Sequence, residues 1–325
     1  MKKAAVLLAV VAVVALIGQV QAAVNNEFLV TEGNWGTGSN WSLGYPPGCG
    51  GTGAPQEYAT ISGGKTCHID IDVPCSGDQW SDLLWTTVVG NGTLILDTDH
   101  SFDSRWELNV GWRGSATSKG TFIQTAGTQK SGKVYIGKAW GYNEGYGEYT
   151  ISGGSIDVDG SLKLGIWHRD DHRYSGTGFF TIDNNAGTVG TISCGGYFQS
   201  PKSKLKLILD NSGNIPTIQV DGDATLSGTL RLEYTGYTPS LNDTIDVLTA
   251  TGTLTYKDHT MTYDDDGDDG TPEIPLPDLV LDVDDPYWVL GDDGAGTLQL
   301  TYIPEPATLV LLGLGGCLAL LRRKK

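Results

Sequence analysis

Methionine is almost missing from this chain, at 2 residues in 325. No internal stretch sustains apolar residues at a 3.6-residue period, which excludes an α-helical body. There is no G-x-S-x-G elbow and no phosphate-binding glycine loop followed by lysine, so the usual signatures of serine hydrolases and nucleoside triphosphatases are lacking. The cysteines form neither a C-x-x-C pair nor a Cys/His zinc pattern. Basic residues are also scarce. Against 38 Asp and Glu stand 21 Lys and Arg, a net charge of −17, which argues against nucleic acid and anionic lipid headgroups as partners of the body.

What the chain has instead is glycine, at 46 residues, with frequent Thr, Ser, Asp and Tyr. That mixture favours strands closed by tight turns. The two ends must be set aside first. Lys2 and Lys3 precede an unbroken apolar run over 4–17, and Val20-Gln21-Ala22 places small residues where a signal peptidase cuts. Residues 1–22 are therefore expected to be a signal peptide with a short apolar helix. At the other end Pro304-Glu305-Pro306 precedes 15 uncharged residues at 307–321, and Arg322-Arg323-Lys324-Lys325 follows. That run reads as a membrane helix, with the basic tail holding its end on the cytoplasmic side. Six of the 21 basic residues lie in these two ends and only Glu305 of the acidic ones does, so the body carries a net −22.

Inside the body three segments repeat. Leu108-Asn109-Val110-Gly111, Val134-Tyr135-Ile136-Gly137 and Leu162-Lys163-Leu164-Gly165 each lead through a loop to a second alternating run. Those runs contain Phe122, Tyr149 and Phe180. The glycines are 26 and 28 residues apart and the aromatics 27 and 31. One such unit cannot bury its apolar stripe alone, so neighbouring units must stack. Weaker echoes occur at Tyr58-Ala59-Thr60-Ile61-Ser62-Gly63-Gly64, which looks like Tyr149 to Gly154, and at Gly92-Thr93-Leu94-Ile95-Leu96. The expectation is an all-β, right-handed parallel β-helix with a C-terminal β cap. The solenoid would span 23–202, and closing coils with the cap 203–303. Within the latter, 257–293 reads as an acidic, Pro-rich irregular excursion. Val110, Ile136 and Leu164 should form one column and Phe122, Tyr149 and Phe180 another.

The C-terminal arrangement of Pro304, Glu305, Pro306, apolar helix and basic tail resembles the PEP-CTERM sorting signal. The resemblance covers 304–325. It implies recognition by an exosortase-type transpeptidase, transient residence in the inner membrane, cleavage near the motif, and delivery to the cell surface or extracellular matrix. Asn34-Trp35, Ser39-Asn40-Trp41, Gly44-Tyr45-Pro46-Pro47 and the glycine-closed repeats are similar to the opening and the strands of autotransporter-type β-helix passengers. That likeness speaks to fold rather than activity.

Candidate sites are few. The aromatics Trp112, Trp140, Tyr142 and Trp167 recur in the loops after each repeat glycine, with Tyr146 and Tyr174 beside them, and suit stacking on the sugar rings of an extracellular polysaccharide. Packing over glycine-rich backbone is their structural alternative. His168-Arg169-Asp170-Asp171-His172 has metal-binding residue types but reads as a charged loop. Asp264, Asp266 and Asp268 suggest calcium, yet the sixth position of that register is Asp269 instead of Gly and the twelfth is Pro275 instead of Glu. No other cofactor is expected. Of the body cysteines Cys49, Cys67, Cys75 and Cys194, the pair Cys67–Cys75 closes the shortest loop. The resulting expectation is an exported structural or adhesive protein that is not an enzyme. A polysaccharide-binding or polysaccharide-cleaving β-helix is the alternative.

Overall fold

Strict alternation of apolar and polar residues over 4–7 positions gives strands with one buried face, and these strands coil. The computed structural model describes residues 24–49, 57–73, 83–112, 118–139, 144–166, 176–257, 259–261 and 274–303. Residues 1–22, expected to be a signal peptide, and 307–321, expected to be a membrane helix, lie outside them, and no helix among the described residues is long and apolar enough to cross a membrane. The described chain is an all-β parallel solenoid built on a 13-stranded and a nine-stranded sheet. From Val24–Glu27 to Lys204–Leu209 successive strands alternate between the sheets, so the coils there pair in parallel with the coils before and after them.

The larger sheet is bent. In Ser101–Val110 the register shifts between Ser104 and Glu107, and Arg105 and Trp106 between them both face outward. Later coils turn at the same place, where Gly132 and Gly160 lie against the backbone of the preceding corner. Two consecutive exposed residues cannot belong to one flat strand, so each long strand turns a corner and lines two sides. The Val189–Gln199 strand makes this explicit, its halves pairing separately with Ile218–Val220 and Ala224–Leu226. The nine-stranded sheet supplies the third side.

Inward residues form columns. Val110 pairs with Ile136 and Ile136 with Leu164, all fully buried. Leu94, Phe122, Tyr149 and Phe180 follow one another across the nine-stranded sheet, also fully buried. Both columns match the sequence expectation. Gly111, Gly137 and Gly165, with φ of 78°, 76° and 65°, end the first column. A Cβ at Gly137 would meet the Thr177 carbonyl of the next coil, so only glycine fits this corner. Gly120, Gly147 and Gly178 are in register where the chain re-enters the stack. The three loops therefore leave and return at one corner.

The polar residues inside the stack are mostly satisfied. The Tyr149 hydroxyl donates to Gln124 Oε1 at 2.6 Å, and Gln124 Nε2 donates to the Gly127 and Ser155 carbonyls. Tyr197 and Gln199 repeat the device, with Gln199 Nε2 reaching the Ser227 carbonyl at 2.7 Å. Each glutamine ties two coils together at a corner. Gln129 breaks the pattern. It is fully buried between Phe102 and Ile156, and neither amide atom has a partner. An unpaired buried amide costs about 1–3 kcal/mol. Gln129→Met, similar in volume, is thus expected to raise the unfolding free energy by about that amount and the denaturant midpoint with it; a lower midpoint would show that the amide is paired in solution.

Both ends of the stack are closed. At the start, Trp35 and Trp41 fill the side where the first coils lack a strand. Trp41 packs edge-on to Phe28 and Trp35, and Trp35 edge-on to Phe102, at 4.8–5.3 Å between centroids. Their indole N–H groups donate to the Trp35 and Pro47 carbonyls. At the far end Thr244–Ala250 pairs antiparallel with Thr297–Tyr302, and that strand with Trp288–Asp292. This antiparallel cap stops further parallel addition.

Two expectations need correction. Residues 280–283, placed in an irregular excursion, form the strand Val280–Val283 in parallel pairing with Thr229–Tyr234. Arg231 fastens it through Asp282 and Asp284, both at 2.8 Å. The Cys67–Cys75 bridge is not made. Cys67 is free and buried because it points into the stack beside Leu94, as does free Cys194 beside Val158. Cys49 is the disulfide-bonded residue, its partner lying outside the described residues.

Candidate functional site

The most chemically loaded surface among the described residues lies on the outer side of the larger sheet, where outward residues of successive coils stand in rows. Trp85 is in register with Glu107, and Thr87, Asn109 and Tyr135 form the next row. Outward residues of a solenoid are ordinarily wet. Here Asn109 is 4 % exposed and Tyr135 5 %, so this patch is covered at the corner from which the loops spring.

Lys138, the second residue after Ile136, folds back over it. Its Nζ lies 2.8 Å from Glu107 Oε2 and 4.1 Å from the centre of the Tyr135 ring. The Lys138 and Glu107 side chains are only 16 % and 19 % exposed. Asn109 Nδ2 donates to the same Glu107 oxygen at 3.3 Å. That bond fixes the amide, since the flipped group would set a carbonyl against a carboxylate. Asn109 Oδ1 and Trp85 Nε1 are buried with no partner. Tyr58 stacks on Trp85 at 4.7 Å with 20° between the planes, extending the row toward the N-terminal end.

None of Trp85, Glu107, Asn109 and Lys138 stood out in the sequence. Asn109 occupies the outward slot of its repeat, where the next two coils carry Tyr135 and Lys163, and nothing in the alternation signals burial there. Of the sugar-stacking candidates, Trp112 is half-buried at the start of its loop. Trp140, Tyr142 and Trp167 lie outside the described residues, as do Tyr174, His168 to His172, and Asp264, Asp266 and Asp268. Tyr146 packs against Phe179 at 5.2 Å. Among the described residues no group of three or more His, Cys, Asp or Glu is placed to hold a metal ion.

A second functional feature is where the body ends. Tyr302 packs edge-on to Trp288 and Tyr287, at 5.3 and 6.0 Å. Its N–H donates to the Asp243 carbonyl, and the Ile303 N–H donates to the Tyr287 carbonyl at 2.8 Å. The chain is thus held in the cap up to the residue before Pro304. Pro304, Glu305 and Pro306 themselves lie outside the described residues. The family model for the PEP-CTERM protein-sorting motif matches residues 303–325. No curated protein and no solved structure matches the chain. The motif marks an exported protein, anchored transiently in the membrane and processed by an exosortase-type enzyme.

Proposed function

We propose that this exported, exosortase-sorted solenoid is a structural or adhesive component of the cell surface or extracellular matrix, and that it works without catalysing a reaction. The observation that carries the reading is the junction at Ile303. A rigid, doubly capped stack is hydrogen-bonded up to the first residue of the sorting motif, so any fusion near that motif attaches the solenoid by its C-terminal cap with almost no tether. The N-terminal plug of Trp35 and Trp41 then lies at the far end from the attachment. The corner from which the loops leave, where Trp112 stands, is the side offered to extracellular polysaccharide.

The test is fractionation of the host with mass spectrometry of the mature C-terminus. The wild-type chain is expected outside the inner membrane without Lys325, and Glu305→Ala is expected in the membrane fraction with Lys325 attached. Recovery of wild-type chain from the cell surface with an intact tail would overturn the sorting step. Replacing the four loop aromatics Trp112, Trp140, Tyr142 and Trp167 by Ala should leave the solenoid folded, with a lower melt where half-buried Trp112 is lost, and weaken retention on the host's exopolysaccharide; unchanged retention would remove the adhesive part of the reading.

A further inference from the structure

We propose that Lys138 and Asn109 become joined by an isopeptide bond, with Glu107 carrying the proton. Three groups of the required kinds meet at one oxygen: an amine, a primary amide and a carboxylate. Glu107 Oε2 is 2.8 Å from Lys138 Nζ and 3.3 Å from Asn109 Nδ2. The first nitrogen would be the nucleophile and the second the leaving group. A carboxylate between them can take a proton from one and deliver it to the other without moving.

The step balances without an oxidant or a cofactor. Lys138 gives a proton to Glu107, and the neutral Nζ attacks Asn109 Cγ. The proton passes from Glu107 to Nδ2, the Cγ–Nδ2 bond breaks, and ammonia departs, taking up the second Nζ proton as ammonium. The new bond is Nζ–Cγ, and its remaining N–H can donate to Glu107 Oε2. Glu107 ends as it began.

The surroundings favour this chemistry over a plain ion pair. Asn109 is nearly excluded from solvent, and the Tyr135 ring lies against the amine, so water competes poorly as nucleophile. The strand and the corner at Gly137 fix both partners, which converts a bimolecular reaction into an intramolecular one. Asn109 Oδ1, where negative charge would develop, has no partner in the resting state. Trp85 on the adjacent strand holds an equally unpartnered indole N–H on the same outer face. An ion pair alone accounts for Lys138 and Glu107. It does not account for a buried amide whose carbonyl is left bare.

Asn109 pairs with Tyr135 of the following coil, and Lys138 closes that coil. The bond would therefore join consecutive coils covalently at the loop corner. For a protein held outside the cell this is a staple that reducing agents cannot open.

The test uses the mature wild-type chain. After reduction of the disulfide at Cys49, its intact mass is expected to fall short of the sequence by one ammonia, about 17 Da, the group displaced by the lysine nucleophile. Trypsin should leave the Lys138–Ala139 bond uncut, and the Asn109 and Lys138 peptides should be recovered as one branched species. Glu107→Gln and Lys138→Arg should both restore the full mass, with folding followed by circular dichroism. A wild-type chain of full mass that trypsin cuts at Lys138 would overturn the proposal whether or not the variants fold. Ammonia loss persisting in Lys138→Arg would overturn it too, by placing the loss at another amide. Cross-linking undiminished in Glu107→Gln would remove Glu107 from the mechanism.

Discussion

Phe122→Asp is expected to abolish cooperative folding of the central coils. Phe122 is fully buried, in register with Leu94 before it and Tyr149 after it. Its ring centre lies 4.5 Å from that of Tyr149 and 6.2 Å from that of Phe102. Removing a buried phenylalanine side chain costs about 3–5 kcal/mol through lost transfer energy and the cavity left behind. Placing a carboxylate there adds several kcal/mol more, because no described neighbour in the column can pair with it. Domains of this kind are stable by only about 5–15 kcal/mol. In a stack each coil is stabilised chiefly by its two neighbours, so the lesion would also uncover the coils on either side. Circular dichroism and limited proteolysis should show loss of the melt and cleavage near residues 118–139. Thr150→Asp, whose side chain points outward from the next coil, is the control and should shift stability by no more than about 0.5 kcal/mol. A Phe122→Asp melt close to wild type would mean that this column is not the core.

The columns were legible in the sequence because a solenoid repeats its geometry. Val110, Ile136 and Leu164 each sit one residue before a glycine, and the glycine is forced by a positive φ and by the next coil's backbone. Local alternation does not reveal which of three sides a strand lines. Tyr58 to Gly64 looked like Tyr149 to Gly154, yet Glu57–Ile61 belongs to the larger sheet and Tyr146–Ile151 to the smaller one. Both runs end at a glycine turn, but at different corners of the prism. Val280–Val283 was hidden for another reason. Its flanks, Pro277 and Asp284, read as breakers, and its partners are remote in sequence: it pairs with Thr229–Tyr234, and Arg231 is 51 residues from Asp282.

The polar cluster was least legible of all. Glu107, Asn109 and Lys138 come together because a bulged strand and a loop corner meet, and neither element has a linear signature. The sorting motif is the opposite case. It is read as a linear string by a membrane enzyme, so residues 304–306 declared themselves without any fold. Trp35 and Trp41 stand between the two. The sequence singled them out by resemblance, and the structure gives their physical role as the filling of the side where the first coils lack a strand.

Raising the pH above about 10 is expected to unfold the protein over a narrow range. Tyr149 and Tyr197 are buried, and burial pushes both phenols well above their ordinary value. Burial likewise raises the Cys67 thiol, and takes Cys194 up to about 12. All four are neutral acids in the native state. Unfolded, the thiols ionise near pH 9 and the phenols near pH 10. Above those values the unfolded chain has released protons that the native chain still holds, so stability must fall as pH rises. Below them neither state is ionised and the contribution is intact. Each group costs about 1.4 kcal/mol per pH unit between its unfolded and folded values, so the two tyrosines alone remove about 2.7 kcal/mol per unit above pH 10. Tyr149→Phe should flatten its share of that slope while lowering stability at neutral pH, because Gln124 Oε1 loses the 2.6 Å bond from the hydroxyl. Thermal melts between pH 8 and pH 11, levels chosen to bracket about pH 9–10 where these groups ionise in the unfolded chain, decide the matter. A midpoint that stays flat across that window would place these phenols and thiols in contact with water, and would contradict a dry interior at both corner networks.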